Sequence, residues 1–147
     1  MTILTCTRAR QARAGGFKSG LNAMPIIYQI DPARRWLEIK LSGHVTIEEA
    51  AESVRRIFAD PAYSDELSGI VDIREMENVW NVTQLRGLAE MQLARPGPSW
   101  RSRRGVVVGS PAHYGTARVF MVFVEPGPVQ YSVFYNQEAA LEWVKEQ

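Results

Sequence analysis

Apolar residues recur along this chain with two different periods, and each change of period marks the boundary of a predicted element. Apolar or aromatic residues alternate with others across residues 26–30 and again across residues 37–41. Alternation of this kind is typical of strands with one buried face. Residues 31–34, Asp-Pro-Ala-Arg, separate the two stretches and have the residue types of a turn. The pattern predicts a β-hairpin that ends at residues 42–44.

A helical period replaces the alternation after the hairpin. Thr46 and Glu49 have the spacing of a capping box, in which each side chain accepts a hydrogen bond from the backbone amide of the other residue. The apolar residues behind them fall at helical spacing: Ile47, Ala50, Ala51, Val54, Ile57 and Phe58. Asp60 and Pro61 end this helix, because a proline disfavours the helical conformation of the residue before it.

Short apolar runs and helical stripes alternate in the rest of the chain. Residues 69–73 and 106–108 are rich in β-branched residues, which predicts strands covered on both faces. A helix follows Asn81, carries Leu85, Leu88 and Ala89 on one side, and ends at residues 95–98.

The segment Gly-Ser-Pro-Ala-His-Tyr that starts at Gly109 is predicted to begin a third helix. Ser110 suits the N-cap, and Pro111 suits the first helical position, where no amide hydrogen is needed. One helical stripe follows: Tyr114, Ala117, Phe120, Met121 and Val124. Residues 129–134 are predicted to be a last strand, and Asn136 caps a last helix.

The order of elements is β-β-α-β-α-β-α-β-α, which predicts the α/β class. We expect a five-stranded, mostly parallel sheet with an antiparallel strand at one edge and helices flanking it. This single domain spans residues 25–147, and a flexible basic tail over residues 1–24 precedes it.

Charge and composition narrow the range of partners. The 147 residues are 46% apolar and 22% charged, as in ordinary globular domains. Four of the 17 basic residues lie in the first 23 residues, which contain no acidic residue. The remainder therefore has 13 basic and 16 acidic residues. A mildly acidic domain argues against nucleic acid as a partner. Contact of the basic tail alone with RNA or a membrane is a further alternative.

Other site classes have little support in the sequence. Cys6 is the only cysteine, which excludes an internal disulfide and favours a cytoplasmic location. No apolar run reaches the roughly 18 residues of a membrane span. The two histidines and the scattered acids do not have the spacing of a metal site. Gly105 and Gly109 do not form a phosphate-binding loop. We therefore predict neither a metal nor a cofactor.

Five segments together carry a family resemblance: residues 27–31 (IYQID), 41–46 (LSGHVT), 71–74 (VDIR), 114–120 (YGTARVF), and 133–134 with 139–143. They resemble the SpoIIAA-like fold, which includes the STAS domains of anti-anti-sigma factors. More closely, they resemble the small bacterial STAS/SEC14-like proteins. The resemblance implies a sheet in which each βα unit adds one strand beside the last.

The resemblance also implies a phosphorylatable serine in an Asp-Ser-Ser-Gly-like turn that opens the second helix. Residues 77–84 read ENVWNVTQ instead, with Thr83 as the only hydroxyl group nearby. The sequence therefore departs from a partner module that a kinase switches, and whether Thr83 is ever phosphorylated stays open.

Ligands of open α/β sheets tend to bind beyond the carboxyl ends of the strands. That edge is expected to collect six polar side chains: His44, Asp72, Arg74, Ser110, His113 and Tyr135. Ser110, His113 and Asp72 form one conceivable nucleophile system. The chain has no Gly-x-Ser-x-Gly elbow, and Ser110 is better used as a cap, so we predict no catalytic residue. Asp72 either acts as a base or pairs with a neighbour such as Arg74.

Two further residues are candidates for binding. Arg118 flanks the apolar stripe of its helix. It is either a surface arginine or part of an ion pair, or it holds a carboxylate or phosphate head group at the mouth of a cleft. Trp80, in a polar loop, forms a lid over the sheet, anchors a partner or packs back onto its own domain.

These observations predict a non-catalytic module that binds a protein partner or a small amphipathic, lipid-like ligand; a homodimer is possible. The predicted binding residues are Arg118, Trp80, His113, Asp72, Arg74 and Tyr114. The alternative is a small enzyme that uses Asp72 or His113 as a general base. A closed apolar pocket with Arg118 at its mouth favours the ligand, whereas a narrow polar cleft with His113 and Asp72 within about 3 Å of each other favours chemistry.

Overall fold

The computed structural model describes residues 24–95 and 102–146. Its strands form one sheet in chain order: β1 (Ile26–Asp31), β2 (Trp36–Gly43), β3 (Ser68–Met76), β4 (Arg103–Val107) and β5 (Gln130–Phe134). Its helices are α1 (Ile47–Ala59), α2 (Val82–Leu93), α3 (Pro111–Val124) and α4 (Gln137–Lys145). β1 runs antiparallel to β2, and all other neighbouring strands are parallel. The predicted fold class is confirmed. The predicted tail lies, except for Met24, outside the described residues.

Polar side chains cap the helices where the sequence predicts. The Thr46 hydroxyl accepts from the Glu49 amide at 3.0 Å, and the Glu49 carboxylate accepts from the Thr46 amide at 2.9 Å. Ser110 accepts from the His113 amide at 3.2 Å, with Pro111 at the first helical position. A cap of this kind is worth about 1 kcal/mol. The segment that follows Gly109 is thus the start of a helix, as predicted.

Two strands extend further than the apolar pattern suggests. β3 continues to Met76, and β4 begins at Arg103, three residues before the predicted run. In both strands charged residues interrupt the apolar pattern, although their side chains are held by neighbouring groups. Arg74 is bound to Asp72 within β3, and Arg103 donates to the carbonyl oxygen of Trp143 at 2.7 Å.

Helices cover both faces of the sheet, with α4 on one face and α1, α2 and α3 on the other. Strand residues alternate between the two faces. Ile70 and Val107 pack against Ala140 and Val144 of α4. Gly105 allows α4 to lie close, because a Cβ atom at this position would be 3.0 Å from the Cβ atom of Ala140. The face that α4 covers is therefore tightly filled.

None of the described helices is long and apolar enough to cross a membrane.

Candidate functional site

A cavity of about 170 Å³ lies between the sheet and helices α1, α2 and α3. Small side chains on two of the helices, Ala50 on α1 and Ala117 on α3, leave part of this space. Most of the wall is apolar and includes Ile39, Leu41, Val54, Leu88, Val106 and Phe120. An engineered apolar cavity of roughly 150 Å³ stays dry and takes up benzene, so the volume suits a small organic molecule.

Trp80 and His113 line the end of the cavity that lies at the carboxyl ends of the strands. The indole Nε1 of Trp80 donates to the carbonyl oxygen of Val45 at 3.0 Å. The amide of Asn78 makes two hydrogen bonds to the backbone of Val45, each 2.8 Å long. The loop between β3 and α2 is thus fastened across this end of the cavity, and Trp80 packs onto its own domain.

His113 is engaged at both ring nitrogens. Nε2 lies 2.9 Å from the carbonyl oxygen of Asn78, which can only accept, so Nε2 carries the proton. Nδ1 lies 2.9 Å from the Ser110 hydroxyl, which also accepts from the backbone amide of His113. With Nε2 protonated, the hydroxyl donates to Nδ1. These bonds give His113 a role in joining α3 to the loop of Asn78.

Arg104 lies at the opposite end of the cavity, at the amino end of β4. It shares the cavity face of the sheet with Val106 and Val108, and only 3% of its surface is exposed. Its Nε donates to the carbonyl oxygen of Leu67 and an Nη atom donates to the Tyr63 hydroxyl, both at 3.2 Å. No carboxylate of the described residues lies within 4.0 Å of its nitrogens.

The charge of Arg104 persists despite this burial. Burial on its own disfavours the charged form, but the adjacent Tyr131 and Tyr63 side chains outweigh it and raise the pKa of Arg104 above its usual value. The same neighbourhood affects Tyr63. Burial raises the pKa of Tyr63, with a further contribution from Asp65, against the opposing effect of Arg104.

Gln92 of α2 completes the polar end of the cavity. It is 7% exposed, and its Oε1 accepts from the Tyr131 hydroxyl at 2.9 Å. Its Nε2 is buried and has no hydrogen-bond partner among the described residues. An unpaired buried polar group costs about 1–3 kcal/mol, so such groups are uncommon in folded proteins. We call Arg104, Gln92, Tyr63 and Tyr131 the amino-end cluster.

Asp72 and Arg74 lie on the other face of the sheet. They alternate with Val71 and Ile73, which line the cavity, and so point to the side of α4. Arg74 binds the Asp72 carboxylate through Nε at 3.0 Å and Nη2 at 2.8 Å, and it also reaches Gln137 at the start of α4.

The contact with Arg74 fixes the charge of Asp72. Burial alone would raise the pKa of Asp72, but hydrogen bonds from the side chain and backbone of Arg74 oppose it. Together with the charges of Arg74 and Lys40, these bonds hold the pKa below its usual value. Asp72 is thus an ionised partner of Arg74.

Neither Arg118 nor Tyr114 of α3 is among the residues that line the cavity. Tyr114 is half-buried against the core cluster that contains Val106 and Ala117. The ring of Tyr114 stacks on Tyr135 with centroids 5.1 Å apart. The exposed Arg118 makes a long contact of 3.4 Å with the Tyr114 hydroxyl.

The six predicted site residues are therefore distributed over three surfaces. Trp80 and His113 line the cavity, whereas the Asp72–Arg74 pair and the Tyr114–Arg118 contact lie elsewhere. The sequence did not predict the amino-end cluster, because consecutive arginines are typical of a solvent-exposed basic surface. The signal that identifies Arg104 is its position two residues before Val106, which places it on the same face of β4.

Among the described residues there is no group of three or more His, Cys, Asp or Glu side chains that could hold a metal ion. The arrangement is suited to holding a small molecule between an apolar wall and two polar ends.

No family model matches this chain, and no curated protein matches it. A solved structure is similar: an uncharacterised protein of the DUF3478 family with a SpoIIAA-like fold, from Shewanella loihica PV-4. The similarity covers 81% of this chain and 93% of that chain, with a TM-score of 0.53 and 17% sequence identity. A likeness at this level of identity shows the fold and carries no activity with it. The chain therefore has a SpoIIAA-like fold, as the resemblance of its sequence segments implied.

Proposed function

We propose that this protein is a binding module that takes up one small, largely apolar molecule between its sheet and helices α1, α2 and α3. The observation that carries the proposal is the cavity of about 170 Å³, with its apolar wall and buried polar ends. Sites for small molecules are typically concave and apolar with a few placed polar groups.

Binding is favoured over bond-breaking by the contacts of the two candidate bases. His113 uses one ring nitrogen for Asn78 and the other for Ser110. The Asp72 carboxylate is bound by Arg74 on the opposite face of the sheet. The enzyme alternative needs one of these groups to exchange its present partner for a substrate.

The loop between β3 and α2 is the proposed route of entry. Val79 lines the cavity and is nevertheless 46% exposed, which makes this loop the wall nearest to solvent. Trp80 follows directly, so its indole group reports on an occupant. Trp36 and Trp143 pack on the α4 face and serve as internal references.

A neutral probe of suitable size, 1-hexanol, tests the proposal. We expect it to shift the indole N–H resonance of Trp80 in a saturable manner, with the resonance assigned through Trp80→Phe. Ala117→Leu fills part of the cavity and should abolish the shift. Ala112→Leu, on the exposed side of the same helix, is the matched control and should respond like the wild type.

An unresponsive wild-type protein, or an Ala117→Leu variant that binds as well as the wild type, would overturn the proposal. If the wild-type protein does not respond, the other predicted function, binding of a protein partner, becomes the better account.

A further inference from the structure

Building on the proposed function, we infer that the molecule held in the cavity is a small monocarboxylate. Its head group lies against Arg104 and Gln92, and its apolar body lies along the cavity wall. The inference rests on three properties of the amino-end cluster: a buried cation, a surplus of positive charge, and an unpaired amide.

The first property is the permanent charge of Arg104. A guanidinium does not lose its proton in proteins, so burial cannot be relieved by neutralisation. The partners seen in the structure, the carbonyl oxygen of Leu67 and the hydroxyls of Tyr63 and Tyr131, are all neutral. A buried charge without a counter-ion is costly, which favours an anion beside it.

The second property is the balance of charge around the cluster. The Tyr63 hydroxyl donates to Asp65 at 2.9 Å, and Asp65 forms an ion pair with Arg95 at 3.3 Å. The carboxylate of Asp65 is therefore shared by two guanidinium groups. It contacts Arg95 directly and is linked to Arg104 through the Tyr63 hydroxyl. Among the described residues the cluster therefore has a surplus of one positive charge, which matches a monoanion.

The third property is the unpaired Nε2 of Gln92. Tyr131 donates to Gln92 Oε1, which leaves the amide nitrogen as a free donor next to the cavity. A turned-over amide would instead present a free oxygen and would repel an anion. The Tyr131 hydroxyl lies beside the Arg104 guanidinium, from which it can accept, so it is best placed to donate to Gln92.

These donors suit a carboxylate in geometry as well as in charge. A guanidinium presents planar, parallel N–H groups that match the two oxygens of a carboxylate, and a charge-assisted hydrogen bond is shorter and stronger than a neutral one. The volume of about 170 Å³ leaves room for a body of about six carbon atoms beside the head group.

Three probes of equal chain length separate this inference from the proposed function. Hexanoate, 1-hexanol and hexylamine are titrated into the wild-type protein at pH 7, with the Trp80 indole resonance as the signal. We expect hexanoate to bind at least about tenfold more tightly than 1-hexanol, and hexylamine to bind least well, since a hydrogen bond to a charged group is worth about 1.5–3 kcal/mol.

Substitutions identify the residues responsible. Arg104→Met should lower the affinity for hexanoate by about tenfold or more and abolish the preference for hexanoate over 1-hexanol. Gln92→Leu should lower the affinity for hexanoate by a smaller factor. The control is Arg103→Met, at the neighbouring position on the α4 face, where the guanidinium donates to the carbonyl oxygen of Trp143. It should leave all three affinities unchanged.

The outcomes are distinct. If 1-hexanol binds as tightly as hexanoate, the monocarboxylate inference fails and the binding module stands. If no probe binds, both fail. If Arg104→Met keeps the preference for hexanoate, the cation that selects the head group is not Arg104 and the inference is overturned. The three-probe series on the wild type decides the matter even if Arg104→Met does not fold.

Discussion

Arg103 and Arg104 are neighbours in β4, yet their environments on the two faces of the sheet differ. Arg103 reaches the carbonyl oxygen of Trp143, approaches Glu146 at 3.4 Å, and keeps 24% of its side chain exposed. Arg104 is buried and contacts neutral partners, with no carboxylate among the described residues near enough for an ion pair. One arginine completes the packing of the fold, and the other carries its charge at the wall of the cavity.

The same contrast extends to the apolar side chains of the two faces. On the α4 face, Ala140 and Val144 are almost fully buried against Gly105 and Ile70, with no space to spare. On the other face, helices with small residues at Ala50 and Ala117 surround a cavity. Unsatisfied features of this kind concentrate at functional sites, where natural sequences depart from the best local choice.

Removal of apolar atoms should produce the largest difference in stability between the two faces. Ile70→Ala empties part of the filled face, and we expect the free energy of unfolding to fall by about 2–5 kcal/mol. Ile39→Ala, at a position that already lines the cavity, should cost less because its side chain has fewer contacts to lose. Urea denaturation of both variants measures the difference, and equal losses would argue that the two faces are packed alike.

Adding atoms should have opposite effects on the two faces. Gly105→Val overpacks the contact with Ala140 and should cost about 1–3 kcal/mol. Ala117→Leu enters the cavity and should leave the melting temperature unchanged or raise it. A strong fall in melting temperature for Ala117→Leu would show that the space is smaller than the structure indicates.

The Asp72–Arg74 pair should affect stability and leave binding unchanged. The folded-state pKa of Asp72 lies below its usual value, so its contribution is present at neutral pH and is lost as the pH falls through the folded pKa. Asp72→Asn should therefore lower the free energy of unfolding at pH 7 by under about 1 kcal/mol, the amount expected of a partly exposed ion pair. The melting temperature should fall slightly as a result. The difference in melting temperature between Asp72→Asn and the wild type should shrink toward acid pH, while the affinity for 1-hexanol stays constant. A difference in melting temperature that is the same at all pH values would contradict the lowered pKa of Asp72.

The smallest effect is expected at Arg118. Its side chain is exposed, and among the described residues it meets Tyr114 alone, the hydroxyl at 3.4 Å and the ring at 5.9 Å. Arg118→Lys should therefore change neither the affinity for hexanoate nor the melting temperature. A marked loss of affinity with an unchanged melting temperature would instead support the hypothesis that Arg118 holds the head group.

The fold was largely predictable from the sequence, because it depends on local signals. The capping box at Thr46 and the cap at Ser110 fix where helices begin, and alternating apolar residues define the hairpin. The resemblance of short segments agreed with the observed strand order.

The site was less predictable, since it depends on which side chains remain unpaired after folding. The sequence predicted a site among polar residues at the carboxyl ends of the strands, but His113 and Asp72 are hydrogen-bonded to their own neighbours. Gln92 lies on α2 and Arg104 on β4, and the two line the same cavity only after these elements pack together. No pattern along the chain reports that an amide will be left without a partner.

Native mass spectrometry of the protein purified from its own host detects whether the face opposite α4 holds a small molecule. We predict a bound species in the wild-type protein that is released on denaturation, ionises as a monocarboxylate, and is missing from Ala117→Leu. A wild-type protein that shows the mass of the bare chain alone, indistinguishable in occupancy from Ala117→Leu, would contradict the account.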